Sequence, residues 1–393
     1  MQTNMDFGFY MPVNILFGEG RIGEIGRLVA VYGKRALLVA TPWADAQSAY
    51  IHRIISLMER EGISVAVYDK VCPNPTVAAV DEGAAFAREH RADVVVGVGG
   101  GSSLDASKAI AVGATHPGSI WDYSFTAPKQ PDNRALPTVA VGTTAGTGAH
   151  ITHGAVITHT PTCHKSAIVG KPVIPKACIV DPELTYTMPA HLSAITGFDA
   201  FTHAFECFIH KSNNRLVDGL ALEAVRIIVE NLPRTVENGE DAHARRMMAY
   251  ADTLAGICNA NVGTTLPHAM GSAIGGRFPH VAHGEALAAV YPGILDFSWQ
   301  CCAARFAQVA RIYDGSLADA PDDEAAQSLG CLVRLFLDRI GLCAPLPPLC
   351  VGERELDALT EAAMWYPDAY ANPAVPTPEQ VRAMYQAVLA WAC

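Results

Sequence analysis

The chain has 393 residues, 50% of them hydrophobic and 17% charged, with a formal net charge of −11. That length exceeds one ordinary domain and that composition fills large cores, so two folded domains are expected and general disorder is excluded. The acidic balance argues against a nucleic-acid partner or an anionic membrane surface, and no apolar run reaches the roughly 18 to 20 residues of a membrane span.

The N-terminal stretch has Asp6 where a signal peptide would carry basic residues, and no long apolar run follows it. The 11 cysteines include no CxxC pair. In so long a chain they read as reduced thiols instead of a disulfide framework. A cytoplasmic protein acting on a small molecule is the expectation.

In chain order, Ala36–Ala40, Ser64–Tyr68, Val94–Val98 and Pro137–Val141 are short, nearly continuous apolar runs. They predict strands of a parallel sheet covered on both faces. Helical stretches at Asp45–Glu61 and Val77–His90 lie between them, which implies βαβ units with right-handed crossovers.

Val94–Val98 runs into Gly99-Gly100-Gly101-Ser102-Ser103, and a helix is predicted to start there. Glycines let a ligand approach the backbone, and a helix N-terminus offers unpaired N–H groups to a diphosphate. A tight turn capped by Ser102 or Ser103 would look the same. A second polar turn, Gly142-Thr143-Thr144-Ala145-Gly146-Thr147-Gly148, follows the next strand. Two such turns at the C-terminal ends of neighbouring strands suit a nucleotide crevice in an open α/β sheet.

After about Pro182 the β-branched runs thin out. Leu216–Leu232 has Leu216, Leu220, Val225, Ile228 and Leu232 close to one helical face, and Ala244–Asn259 and Gln327–Ile340 behave similarly. The boundary is expected within Asp181–Pro189. This gives an α/β dinucleotide-binding domain over 1–185 and an all-helical metal-binding and substrate domain over 186–393.

Within the helical half, Asp199 and His203 are four apart and share one face of the helix predicted over Gly197–Ile209. His268, His280 and His283 follow in a stretch rich in small residues. Nitrogen and oxygen donors without thiolate suit Fe(II) or Zn(II). His150, His153, His159 and His164 lack a ligand spacing and are read as loop or hairpin surface. The adjacent Cys301 and Cys302 are read as core thiols.

This combination resembles the iron-containing (group III) alcohol dehydrogenase family. The resemblance runs through Ile15-Leu16-Phe17-Gly18-Glu19-Gly20, Pro73-Asn74-Pro75-Thr76, the glycine turn with Asp105 and Lys108, and the threonine–glycine turn. It continues through Ile179-Val180-Asp181-Pro182-Glu183-Leu184 and Gly197–Glu206, in that order. It implies a two-domain fold like that of dehydroquinate synthase. Carried over by motif, the metal ligands are Asp199, His203, His268 and His283, the last because His283-Gly284 is similar to the family's His-Gly. The implied cofactor contacts are Asn74, Gly100, Gly101, Ser102, Asp105, Thr143, Thr144, Thr147 and Lys165.

The chain departs from the family pattern at three points. Ala149-His150 stands where Ser-Glu is frequent, and Ser272 stands where a second histidine is frequent. The interval from His268 to His283 is fifteen residues, one more than expected. His280 falls in that interval and is the candidate to replace the missing histidine in proton transfer.

The expected activity is metal-dependent hydride transfer between NAD or NADP and a small alcohol or its aldehyde or ketone, with Fe(II) first and Zn(II) second as the metal. Thr41, at the end of the first expected strand, replaces a carboxylate that would select NAD. One alternative is a dehydroquinate-synthase-like lyase using NAD transiently with a metal, although Arg277 is nearly the only cation near the expected ligands. Another is a nucleotide sensor with a structural metal. The expected partner is the substrate alone, without nucleic acid or membrane, and a homo-oligomer is left open.

Overall fold

The computed structural model describes residues 4–43, 45–343, 346, 349 and 351–389, and for residues 45–47 the backbone only. The chain divides into two compact units, Tyr10–Met188 and Pro189–Cys393, the second including the N-terminal segment up to Phe9. That segment joins the helical unit through Asn4, whose carbonyl accepts from Arg215 N–H at 3.2 Å.

The first unit contains β1 (Asn14–Phe17), α1 (Ile25–Ala30), β2 (Arg35–Val39), α2 (Asp45–Arg60), β3 (Ser64–Tyr68), α3 (Val77–Glu89), β4 (Val94–Gly99) and α4 (Gly101–Gly113). It continues with β5 (Thr138–Gly142), β6 (Gly154–His159), β7 (His164–Val169) and β8 (Ala177–Val180). Six strands form one sheet in the order β1-β8-β5-β4-β2-β3, every pair parallel, while β6 and β7 make a separate antiparallel hairpin.

Alternate strand residues bury on opposite faces. Leu37, Val39 and Val95 pack with Ala87 and Ile110 on one side; Ala36, Leu38, Val94 and Val96 pack with Ile25 and Ile54 on the other. A strand covered on both sides has no polar phase, which is why its sequence reads as a continuous apolar run. The glycine turn follows the fourth strand, because Asn14–Phe17 forms an earlier one against β8. From β2 the sheet grows toward β3 on one side and toward β4 and β5 on the other, so the order reverses between β2 and β4. A crevice outside the carboxyl ends of the strands at such a reversal is where α/β sheets bind ligands.

The hairpin corrects one expectation. His150 is buried at 3% exposure, not on a surface, and burial followed by the nearby Lys108 charge lowers its pKa to about 4. His159 and His164 are paired across the end of the hairpin, and His159 stacks on Trp121 with ring centroids 4.6 Å apart.

The second unit is helical: α5 (Ala190–Ile209), α6 (Arg215–Glu237), α7 (Ala242–Asn261), α8 (Leu266–Arg277), α9 (His283–Ser298), α10 (Ala303–Tyr313), α11 (Asp322–Arg339), α12 (Glu353–Trp365), α13 (Asp368–Ala371) and α14 (Pro378–Leu389). From Gly197 to Ile209 every residue of α5 is buried, so α5 is the central helix, apolar on all sides. Phe198, Phe201 and Phe205 meet Tyr291 of α9 with centroids 5.4 to 6.2 Å apart. Four polar residues of that buried run, Asp199, Thr202, His203 and Glu206, are therefore exceptional.

Two sequence expectations shift here. Leu216 is 43% exposed, because the buried face of α6 is set by Val217, Ala221, Ala224, Val225, Ile228 and Leu232. Cys302 is buried but Cys301 is exposed; neighbours in a helical turn point in different directions, so both cannot face one core. Among the described residues no helix is long and apolar enough to cross a membrane.

Candidate metal and nucleotide sites

α5 carries Asp199 and His203 one turn apart, α8 carries His268 in its first turn, and α9 begins at His283. The four side chains converge on one oxygen. Asp199 Oδ1 lies 3.5 Å from His268 Nε2, 3.8 Å from His283 Nε2 and 3.9 Å from His203 Nε2. Ligand atoms of Asp199, His268 and His283 all lie within 4.8 Å of one another. Tetrahedral donors about 2.05 Å from one ion would be roughly 3.4 Å apart, close to the distances from Asp199 Oδ1, whereas the imidazoles must draw closer to one another and His203 lies outside the three-residue group.

Asp199 Oδ1 and His268 Nε2 are buried and neither has a hydrogen-bond partner. Buried polar atoms are normally paired, so two orphans pointing at one spot fit a cation between them. Electrostatics agree. Burial acts to raise the Asp199 carboxyl, but His203, His268 and His283 outweigh it and hold the group at about 2. Burial acts to lower His268, but Glu206 and Asp199 outweigh it and raise the imidazole to about 10. The cradle favours positive charge at this point, and a divalent metal would displace the proton held there.

Sequence reasoning passed over Glu206. It is fully buried on α5, seven residues after Asp199 and so on the same face two turns on. Glu206 Oε1 accepts from His268 Nδ1 at 2.7 Å. Glu206 Oε2 accepts from the Thr265 N–H at 2.7 Å and from its hydroxyl at 3.2 Å. Thr265 is the N-cap residue of α8. One carboxylate thus ties α5 to the α8 N-terminus, where the helix dipole favours it, and fixes the proton of His268 on Nδ1 so that Nε2 faces Asp199. The Asp199–Glu206 spacing was readable in the sequence, but a single buried carboxylate has no partner pattern to reveal it.

His283 is positioned by its neighbour. A Cβ on Gly284 would lie 2.2 Å from the Ile195 carbonyl oxygen of α5, so only glycine lets α9 start this close to the helix bearing Asp199 and His203. Glu285 Oε2 accepts from the Ala282 N–H at 3.0 Å, and Glu285 Oε1 pairs with His191 Nε2 at 3.0 Å. His280 is exposed in the turn between α8 and α9, its ring beside Phe278 with centroids 6.3 Å apart. Arg277 is exposed and faces Glu355 at 3.5 Å.

In the first unit, the two polar turns are adjacent because Gly99 and Gly142 are register partners in β4 and β5, and Thr143 N–H donates to Gly99 O at 3.0 Å. Gly99 has φ +142, and a Cβ there would lie 2.5 Å from Ser103 Oγ. Ser103 Oγ accepts from Thr41 N–H at 3.2 Å, joining the end of β2 to the first turn of α4. Gly100 is the N-cap of α4 and gives no side-chain cap bond, which leaves first-turn N–H groups for an anion. Ser102, Thr143, Thr144 and Thr147 are half-buried around this opening, and the Thr147 hydroxyl accepts from Ala149 N–H at 3.3 Å.

The other expected cofactor contacts cluster at the hairpin. Asn74 takes a left-handed φ of 55, and the next carbonyl, Pro75 O, accepts from Thr158 N–H at 2.8 Å. Thr158 is the cross-strand partner of Lys165, which is 5% exposed. Asp105 is engaged by the protein itself: Oδ2 accepts from Val156 N–H at 3.0 Å and Oδ1 pairs with Lys108 Nζ at 2.9 Å. Buried Lys108 also donates to the Ala149 and Gly154 carbonyls. The pair anchors the hairpin to α4.

Residues 12–182 match the family model described as iron-containing alcohol dehydrogenase, and residues 193–389 match the model of the C-terminal part of that family. The chain is 36% identical over 369 residues to a choline dehydrogenase of Bacillus subtilis (strain 168), covering 93% of this chain and 90% of that one. It is 34% identical to a 1,3-propanediol dehydrogenase of Klebsiella pneumoniae, covering 97% and 98%. Among solved structures, an archaeal halo-thermophilic alcohol dehydrogenase from a Red Sea brine pool superposes with a TM-score of 0.93 at 35% identity, covering 99% and 100%.

Proposed function

Because the chain belongs to the iron-containing alcohol dehydrogenase family and is an NAD-linked, metal-dependent alcohol oxidoreductase, we propose the following roles for its residues. Asp199, His203, His268 and His283 hold a divalent metal, Fe(II) before Zn(II). The observation that supports this reading is the convergence of three imidazole nitrogens on Asp199 Oδ1 at 3.5 to 3.9 Å. The α4 N-terminus binds the cofactor diphosphate, with Gly100, Gly101 and Ser102 supplying N–H groups and Thr143, Thr144 and Thr147 supplying hydroxyls. Asn74 and Lys165 hold the far side of the cofactor, and Asp105 supports it indirectly by bracing the hairpin.

When bound, the metal supplies Lewis acidity toward the substrate oxygen and the nicotinamide supplies or accepts the hydride. The residues do the rest. Asp199 lowers the net charge of the site, Glu206 keeps His268 oriented, and buried α5 keeps bulk water from the ligand side of the cradle. His280, already solvent-exposed, passes the alcohol proton to water. Thr41 presents no carboxylate to a 2′-phosphate, so NADP(H) is accepted beside NAD(H). A lyase of the dehydroquinate synthase type is not favoured: it would need a set of cations for phosphate near the metal, and Arg277 is exposed and paired with Glu355.

Steady-state rates on Fe(II)-reconstituted protein with NADH, NADPH and a panel of short aldehydes test this reading. Turnover is expected with both cofactors. A preference for NADH above about a thousandfold, or ~4 kcal/mol, would refute the cofactor assignment, and no turnover with any aldehyde would refute the activity.

A further inference from the structure

Lys108 is buried at 1% exposure in α4, about two turns beyond the start of the helix. A lone ammonium there would be costly, and this one is fully engaged. Its Nζ lies 2.9 Å from Asp105 Oδ1. It donates to Ala149 O at 3.1 Å, to Gly154 O, and over 3.4 Å to Thr152 Oγ1. Three protons meet four acceptors, so none is left for a ligand. Asp105 is likewise occupied, because its Oδ2 accepts from Val156 N–H at 3.0 Å.

These partners lie where the nucleotide site is completed. Ala149 directly follows the threonine–glycine turn, and its N–H donates to the Thr147 hydroxyl at 3.3 Å, which leaves the hydroxyl hydrogen to be donated elsewhere. Gly154 and Val156 stand at the start of β6, and Thr158 further along it pairs across the hairpin with Lys165. A Cβ on Gly101 would lie 2.7 Å from Thr147 Cγ2, so the turn also rests on the first residue of α4. One buried ion pair on the diphosphate helix therefore holds both the turn and the hairpin.

We propose that Lys108 is a positioning residue for the cofactor. With Asp105 it fixes the threonine–glycine turn and the hairpin against α4 before NAD(H) arrives, and so sets cofactor affinity without touching the cofactor. The proposal rests on the cofactor reading given above. A site whose loops are already held spends no binding energy on ordering them. Direct attraction between the Lys108 charge and the diphosphate would be a different mechanism, and the two differ in sign at Asp105. Attraction predicts tighter NADH binding in Asp105→Asn, because the balancing negative charge is gone. Positioning predicts weaker binding. The amide has one oxygen where two donors must be met, so either Val156 N–H or Lys108 loses its bond.

NADH is titrated into the unaltered protein, Asp105→Asn and Lys108→Met, with Kd read from nicotinamide fluorescence and the melting temperature recorded for each. Kd should rise by about tenfold or more in both variants. In steady state KM for NADH should rise with it, while kcat at saturating NADH changes less. Partial unfolding gives the opposite split, since it lowers kcat and leaves the Kd of the folded molecules alone. Lys108→Met strands a buried carboxylate; should it fail to fold, Asp105→Asn decides alone. A Kd in Asp105→Asn within a factor of about two of the unaltered value, or below it, overturns the proposal alone, even if the melting temperature falls. No binding of NADH by the unaltered protein overturns the cofactor reading and the proposal with it.

Discussion

Glu206 and His280 show what single residues contribute to this site. Glu206 satisfies three donors with two oxygens, and each of its partners touches metal binding: His268 is a ligand and Thr265 caps the helix that carries it. In Glu206→Gln the amide must donate where the carboxylate accepted, so either Thr265 N–H loses its acceptor or His268 moves its proton to Nε2, the atom that faces Asp199. Metal affinity, measured by competition with a chelator, should fall by about 10- to 100-fold. An unchanged affinity would show that His268 needs no orienting partner. His280 is a different case, because its exposure suits the solvent end of a proton path but also an idle surface ring. His280→Ala should keep its metal, lose about 10²-fold in kcat and lose a limb of the pH profile. A profile that keeps its shape, with kcat within a factor of about two, would remove His280 from the mechanism.

At the scale of elements, the site is the meeting of α5, α8 and the start of α9, and the closeness of α9 depends on Gly284. Gly284→Ala puts a Cβ 2.2 Å from the Ile195 carbonyl, so α9 must move and carry His283 with it. Thermal stability and metal affinity should both drop. Gly293→Ala, on the same helix with nothing within 4 Å of its Cβ, should leave affinity alone and stabilise slightly through helix propensity. Equal behaviour of the two variants would mean that α9 tolerates displacement and that its close approach is not required. The elements also show what was legible. β2, β3, β4 and β5 stood out because double-sided burial leaves long apolar runs, and the Asp199–His203 pair because helical spacing is simple. β1 and β8 are four residues each, too short for periodicity; the β1 segment was legible only through the family resemblance, and β8 was not legible as a strand. α8 hid for the opposite reason: Leu266–Gly276 is buried on almost every side and half small residues, so it has no polar face to set a phase. The β6–β7 segment reads only as loop or hairpin, with no strands assigned, because its buried polar residues, Thr158, Lys165 and Ser166, imitate a loop.

For the whole molecule, the family match extends over both units, and the expected roles divide the same way: nucleotide loops on the parallel sheet, metal cradle on the helices. A metal that binds the folded protein and not the unfolded chain must stabilise it by mass action. The central claim is that Asp199, His203, His268 and His283 act together to hold that metal and that alcohol oxidation depends on it. The most direct measurement is elemental analysis of bound metal, with turnover on the same sample, for the unaltered enzyme and His283→Ala after identical anaerobic loading with Fe(II). The account predicts stoichiometric iron and turnover in the first. In the second, three ligands remain in a half-open cradle, so iron is largely lost, turnover falls with it, and added Fe(II) no longer raises the melting temperature. Stoichiometric iron with full turnover in His283→Ala would contradict it.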